Sequence, residues 1–150
     1  MCLKRDIVDN PLRQATKEIT CYKVVAVPYE LRRKFKTDLL RFFGKFKHYE
    51  TYFQDTPITI GTTVYAEPVY TKGELEFIAE HHTHLEEGFI HSFKHKKDAV
   101  AFAESYSKYA ELVKCTIPVG AYYFEGHGGI FYSQEQYAST ALKYVKVIKH

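Results

Sequence analysis

The chain has 150 residues, of which 45% are apolar and 26% charged, with a net charge of +3. That length suits one domain, residues 1–150, around a single core, and the balance excludes a disordered chain. No apolar run approaches the length of a membrane span and residues 1–6 lead into no signal core, so a cytoplasmic location without a membrane partner is expected.

Asn10-Pro11 has the form of a helix start, Asn as cap and Pro in the first helical position. Leu12, Ala15 and Ile19 would then share a face, which predicts a short N-terminal helix. ITCYKVVAV (19–27) is β-branched and apolar and stops at Pro28, the pattern of a central strand. Residues 31–50 hold seven Lys or Arg against Asp38 and Glu50. Leu31, Phe35, Leu39, Phe42 and Phe46 recur there at three- and four-residue intervals, predicting an amphipathic helix interrupted near Gly44. This basic patch is either a solvated face over a core stripe or an attractor of phosphate-bearing ligands, nucleic acid or an acidic partner.

ITIGTTVYAEPVY (58–70) reads as β structure broken by Gly61 and Pro68. Thr71 and Glu74 match a capping box, predicting a short helix over KGELEFIAEHH. GFIHSF (88–93) is a short strand. The helix that follows it keeps a 3.6-residue rhythm through Ala99, Phe102, Ala103 and Tyr106. ELVKCTIP (111–118) alternates Val113, Cys115 and Ile117 on one face and ends at Pro118 and Gly120. AYYFEGHGG continues as a strand into a glycine-rich stretch, EGHGGIFYSQEQ. Its spacing makes neither a dinucleotide fingerprint nor a P-loop, leaving a flexible turn or a backbone anion site. STALKYVKVIKH closes the chain as a strand. The order predicts an α+β fold with a mostly antiparallel twisted sheet and two to four helices.

Three candidate chemistries come from composition. Cys2, Cys21 and Cys115 are odd in number and widely spaced, so they read as reduced thiols, and Cys21 and Cys115 sit in apolar runs where a thiol is a core residue. Five of the eight histidines fall in HHTHLEEGFIHSFKH, where His82, His84 and His91 would share a metal if brought together. The spacing matches no metal motif, and no metal is assigned. Thirteen Tyr and eleven Phe offer ring faces for stacking a base, although most such rings belong to cores.

The succession CYKVV, GFIHSFKHKKDAVAFA, VKCTIP and YASTALKYVKVI resembles the ordering in small ADP-ribosyltransferase-like domains, over residues 20–148. It is also similar to small proteins of bacteria and their phages that share a GF.HSFK...DA string. The resemblance implies an ADP-ribosyltransferase-like fold. In it Tyr22 or Lys23 stands where the family's first motif holds NAD, and His91, Ser92 and Phe93 stand on the second. Glu135 is the nearest candidate for the catalytic acid, one residue early relative to the family's spacing, which implies a cleft without turnover.

On this reading Lys23, His91 and Ser92 grip polar groups, Tyr22, Phe93 and Tyr123 line the ligand, and Arg41 in the basic segment draws phosphate. No resident cofactor is expected; NAD or a related nucleotide would be the ligand. The implied function is binding or sequestering a nucleotide or NAD-derived signalling molecule, an anti-defence role if the phage likeness holds. The alternatives are an active NAD-dependent ADP-ribosyltransferase using Glu135, or a nucleic-acid or protein-binding module using residues 31–50.

Overall fold

Strand β3 (Ile19–Ala26) pairs antiparallel with β9 (Ala110–Ile117) along its whole length, from Ile19 opposite Ile117 to Ala26 opposite Ala110. The ladder does not end there. Upstream, β2 (Arg13–Gln14) pairs with β10 (Tyr122–Gly128) through Gln14 opposite Tyr122 and Arg13 opposite Tyr123. Ala15 joins the two, donating to the Ala121 carbonyl at 2.9 Å and accepting from Gly120 N–H at 2.8 Å. The register is the same on both sides of the corner, so residues 13–26 and 110–123 form one bent ribbon. Pro118, which has no N–H to continue the ladder, begins the bend. Gly120 completes it at φ +89, in a turn closed by Ala121 N–H on the Pro118 carbonyl.

The structure, a computed structural model, describes residues 3–28, 48–51, 57–85, 88–106, 110–128 and 133–148. The helix expected within 31–50, with Arg41, lies outside these residues except at its end, where 48–51 forms strand β4.

The remaining strands are β1 (Leu3–Lys4), β5 (Pro57–Thr59), β6 (Thr63–Tyr65), β7 (His84–Leu85), β8 (Ile90–Phe93), β11 (Gln134–Ser139) and β12 (Ala141–Ile148). The helices are α1 (Lys72–His81) and α2 (Lys96–Tyr106). Every pairing is antiparallel, in the order β6-β12-β9-β3-β8-β11-β10-β1-β7, with β4 and β5 attached to the free end of β3. The architecture is α+β with the sheet dominant, as the sequence predicts at that level.

Alternation along the strands gives the sheet two faces. Cys21, Val25, Val113, Cys115, Ile117, Tyr137, Leu142 and Tyr144 bury one face together with Tyr49 and Ile58 of β4 and β5. On the other face α2 sets Ala99 and Ala103 against Val24, Phe93 and Leu112, and α1 sets Leu75 against Leu3, Leu85, Phe124 and Ala138. Both helices therefore cover the same side. The α1 capping box is present, with Thr71 Oγ1 accepting from Glu74 N–H at 3.2 Å and Glu74 Oε1 from Thr71 N–H at 3.3 Å.

The expected N-terminal helix does not form. Asp6 accepts from Val8 and Asp9 N–H, and Asn10 accepts from Asp6 N–H, which closes a turn and uses the side chain that would have capped a helix. Residues 13–15 instead take the backbone partners offered by 120–123. The glycine-rich stretch is likewise not a turn through Gly128. Gly126 and Gly128 lie within β10, where an added Cβ would collide with Leu3 and with the Gln136 amide.

Arg5 ties α1 to the sheet. Only 3% exposed, it donates to the carbonyls of Asn10, Ala79 and His82 at 3.0, 2.7 and 2.6 Å, and its guanidinium lies 4.6 Å from the Phe124 ring centroid. A cation on the last carbonyls of a helix satisfies acceptors that have no intrahelical donor. Arg5→Met should keep the packing stem and strand those carbonyls, lowering stability by about 3 kcal/mol in urea unfolding.

Candidate functional site

The residues singled out in the sequence fall on both sides of the sheet. Ser92 stands opposite Tyr137 and His91 opposite Ala138, residues of the two opposing cores, so the neighbouring side chains point apart. Tyr22 and Phe93 face each other on the helix-covered side, where Phe93 is 2% exposed and its ring lies 5.5 Å from that of Phe102. Lys23 and Ser92 share the other side with Cys21, while Tyr123 and Glu135 lie further out on that same side. The arrangement thus joins Lys23 with Ser92, places Tyr123 and Glu135 on the same face four positions apart along the ladder, and separates His91, Tyr22 and Phe93 from all four.

Lys23 occupies a fork. The edge of β3 that pairs with β8 at Tyr22 passes to β4 at Val25 and Ala26. Between the two, Lys23 Nζ donates to the His91 carbonyl at 2.7 Å, closing the gap from a side chain. Burial holds the amine below the ordinary lysine range, with the Cys115 and Cys21 sulfurs opposing that shift. One of its N–H donors is thereby committed to the scaffold.

Outward along β10 and β11 the same face changes from apolar to charged. Tyr123, Glu125 and His127 alternate with Phe124, Gly126 and Gly128, and they stand opposite Ser139, Tyr137 and Glu135. Arg13 on β2 pairs with Tyr123, and Lys94, just past β8, reaches Glu125 at 3.8 Å. His95 Nε2 contacts Glu135 Oε2. That contact, then Lys94, His95 and His127 as charges, depresses the Glu135 carboxyl despite some opposing desolvation. Tyr137 sits beneath, T-shaped against Tyr123 at 5.8 Å, its phenol pushed up to about 12 by burial and then by Glu125.

Exposed ion pairs of this kind contribute at most about 1 kcal/mol each, so stability does not account for this concentration of charge. Chemically the rim offers cations, carboxylate acceptors and a half-buried tyrosine ring within reach of one ligand. Arg13, Lys94, Glu125 and His127 were not singled out from the sequence, and His95 only as a member of the histidine cluster. The signal was available in YYFEGH, whose every second residue is polar or apolar as in a strand with two unlike faces.

Among the described residues no three His, Cys, Asp or Glu are placed to hold a metal ion, and no helix is long and apolar enough to cross a membrane. The histidines of HHTHLEEGFIHSFKH separate: His81 ends α1, His84 lies on β7, and His91 is buried on β8.

At the far end of the inner face Glu111 is 7% exposed and Tyr49 1%. Among the described residues neither Glu111 Oε2 nor the Tyr49 hydroxyl has a hydrogen-bond partner. Burial pushes the Glu111 carboxyl up to about 7 from an ordinary value of 4.5. The folded state therefore holds a proton that the unfolded chain releases between those values, and stability contributed by this group falls as pH rises through that window. Glu111→Gln should remove the penalty. The stability gain of the variant over the parent should grow by about 3 kcal/mol between pH 4.5 and pH 8 in parallel urea titrations, and a constant difference would contradict the assignment.

Compared with protein-family models, curated proteins and solved structures, the chain matches none.

Proposed function

We propose that this chain binds a small anionic, ring-bearing ligand of the nucleotide or NAD-derived class at the polar rim of β2, β8, β10 and β11, and holds it without transforming it. The observation that carries this reading is the convergence of Arg13, Lys94, Tyr123 and the Glu135–His95 pair on one sheet face, from four separate strands and their ends. Arg13 and Lys94 would meet phosphate, the Tyr123 ring would carry the base, and the Glu125 or Glu135 carboxylate would accept ribose hydroxyls.

The ligand class rests on the resemblance to ADP-ribosyltransferase-like domains, which the strand β8 running directly into the alanine-bearing helix α2 supports in outline. An ADP-ribosyltransferase-like cleft would then be degenerate here, with His91, Tyr22 and Phe93 serving the scaffold. The Glu135 carboxylate, engaged by His95, would act as a hydrogen-bond acceptor. Sequestration of a signalling nucleotide is the role such a protein would play in a cell.

Native mass spectrometry of protein purified from cells should reveal a retained small molecule, and calorimetry with NAD and ADP-ribose should give saturable binding. The double charge reversal Arg13→Glu, Lys94→Glu should weaken that binding by about tenfold or more while leaving the unfolding midpoint nearly unchanged. A bare chain with no heat of binding to either compound would overturn the proposal. Nicotinamide release abolished by Glu135→Gln would replace it with the transferase. Steeply salt-dependent nucleic-acid binding, indifferent to the double variant, would move the function to residues 31–50.

A further inference from the structure

We propose that Cys21 and Cys115 form a buried dithiol site that a small hydroperoxide oxidises to a cross-strand disulfide, with Lys23 and Ser92 assisting the first step. The two cysteines face each other directly across the β3–β9 ladder, and both are free and 0% exposed. Facing residues of an antiparallel pair have Cα atoms about 4.5 to 5.5 Å apart, inside the span of about 4.4 to 6.8 Å that a disulfide bridges.

The surroundings are unusual for two core thiols. The Lys23 amine lies close enough to act electrostatically on both, and no carboxylate among the described residues neutralises it there. The Ser92 hydroxyl, 1% exposed, stands beside Cys21 and has no hydrogen-bond partner of good geometry among the described residues. A hydroxyl without a well-formed hydrogen bond and a part-buried amine next to a thiol make a polar spot at the edge of an apolar core, with donors that a hydroperoxide oxygen can accept.

The two sulfurs are not equivalent. Burial pushes the Cys21 thiol up to about 11, with Ser92 and Lys23 pulling it back, whereas the Cys115 thiol, also raised by burial, has no such hydroxyl to pull it back among the described residues and its S–H is turned to the Val113 carbonyl at 3.7 Å. Cys21 is therefore the attacking sulfur and Cys115 the resolving one. Cys21 sulfur takes the terminal peroxide oxygen, the O–O bond breaks, and the departing hydroxide leaves as water with the thiol proton. The Cys115 sulfur then attacks the Cys21 sulfenic acid, the S–O bond breaks, and a second water departs. Two thiols and one hydrogen peroxide give one disulfide and two waters, and two electrons pass from sulfur to peroxide.

The test uses the folded full-length chain carrying Cys2→Ser, exposed to hydrogen peroxide, quenched with catalase, then denatured and alkylated. Two alkylation sites should be lost together, a Cys21–Cys115 linked peptide should appear, and dithiothreitol should restore both thiols. With Cys115→Ser added, dimedone should trap the sulfenic acid at Cys21. Lys23→Met should slow disulfide formation by about tenfold relative to Lys23→Arg, which keeps the charge. The parent chain carries the test by itself if a variant folds poorly. Two thiols that remain fully alkylatable, or a link that forms only after urea unfolds the chain, would overturn the proposal, and this outcome is independent of ligand binding at the rim.

Discussion

The bent ribbon of residues 13–26 and 110–123 is the constraint from which the rest of the molecule follows. Because its register passes the corner unchanged, the inner faces of β3 and β9 continue into those of β2 and β10. β3 and β10, three steps apart in the strand order, are thereby drawn around one core. That curl brings Ala15, Ala121 and Tyr137 into the same cluster as Val113 and Cys115. It also decides where α1 and α2 can go. With one face turned in on itself, the helices have only the outer face to bury their apolar stripes against.

Curling a sheet this strongly leaves edges that do not match, and polar side chains fill the mismatches. Lys23 serves as a substitute donor at the fork where β3 exchanges β8 for β4, and Arg5 serves the same purpose where α1 runs out of intrahelical donors. Each is a cation placed on carbonyls rather than on a carboxylate. A carbonyl does not neutralise a charge, so burial bears on both groups and each is held below its ordinary range. Glu111, opposite Val25 at the same fork, is the acidic counterpart, held above its ordinary range by burial.

The sequence resolves those elements whose local chemistry and tertiary setting agree. Thr71 and Glu74 cap α1 because both partners of the box lie within four residues, and Val113, Cys115 and Ile117 alternate because the face they form is buried. Asn10-Pro11 misled for the opposite reason. The same Asn side chain closes a turn on Asp6, and the backbone of 120–123, more than a hundred residues away, outcompetes a helix whose nucleation is costly. Gly126 and Gly128 read as a loop because a glycine needed for close approach looks the same in sequence as one needed for a turn. The candidate site was legible only in part: Tyr123 and Glu135 carry ring and acid types that attract notice, but Arg13 and Lys94 join them solely through strand pairing.

The pair His91-Ser92 shows how far a motif can be read before geometry is known. Within a strand, two adjacent side chains cannot serve one ligand from the same face, because the pleat turns them apart. Two residues of a strand can act together only at alternate positions, or across a ladder. In this chain the alternate positions are Tyr123, Glu125 and His127, and the cross-ladder partner is Glu135. Ser92 instead joins Cys21 and Lys23 within the core, and His91 lies beneath the helix layer. The strand β8 is therefore a partition: it contributes a hydroxyl to one side, an imidazole to the other, and a backbone carbonyl to the lysine that fixes its own position.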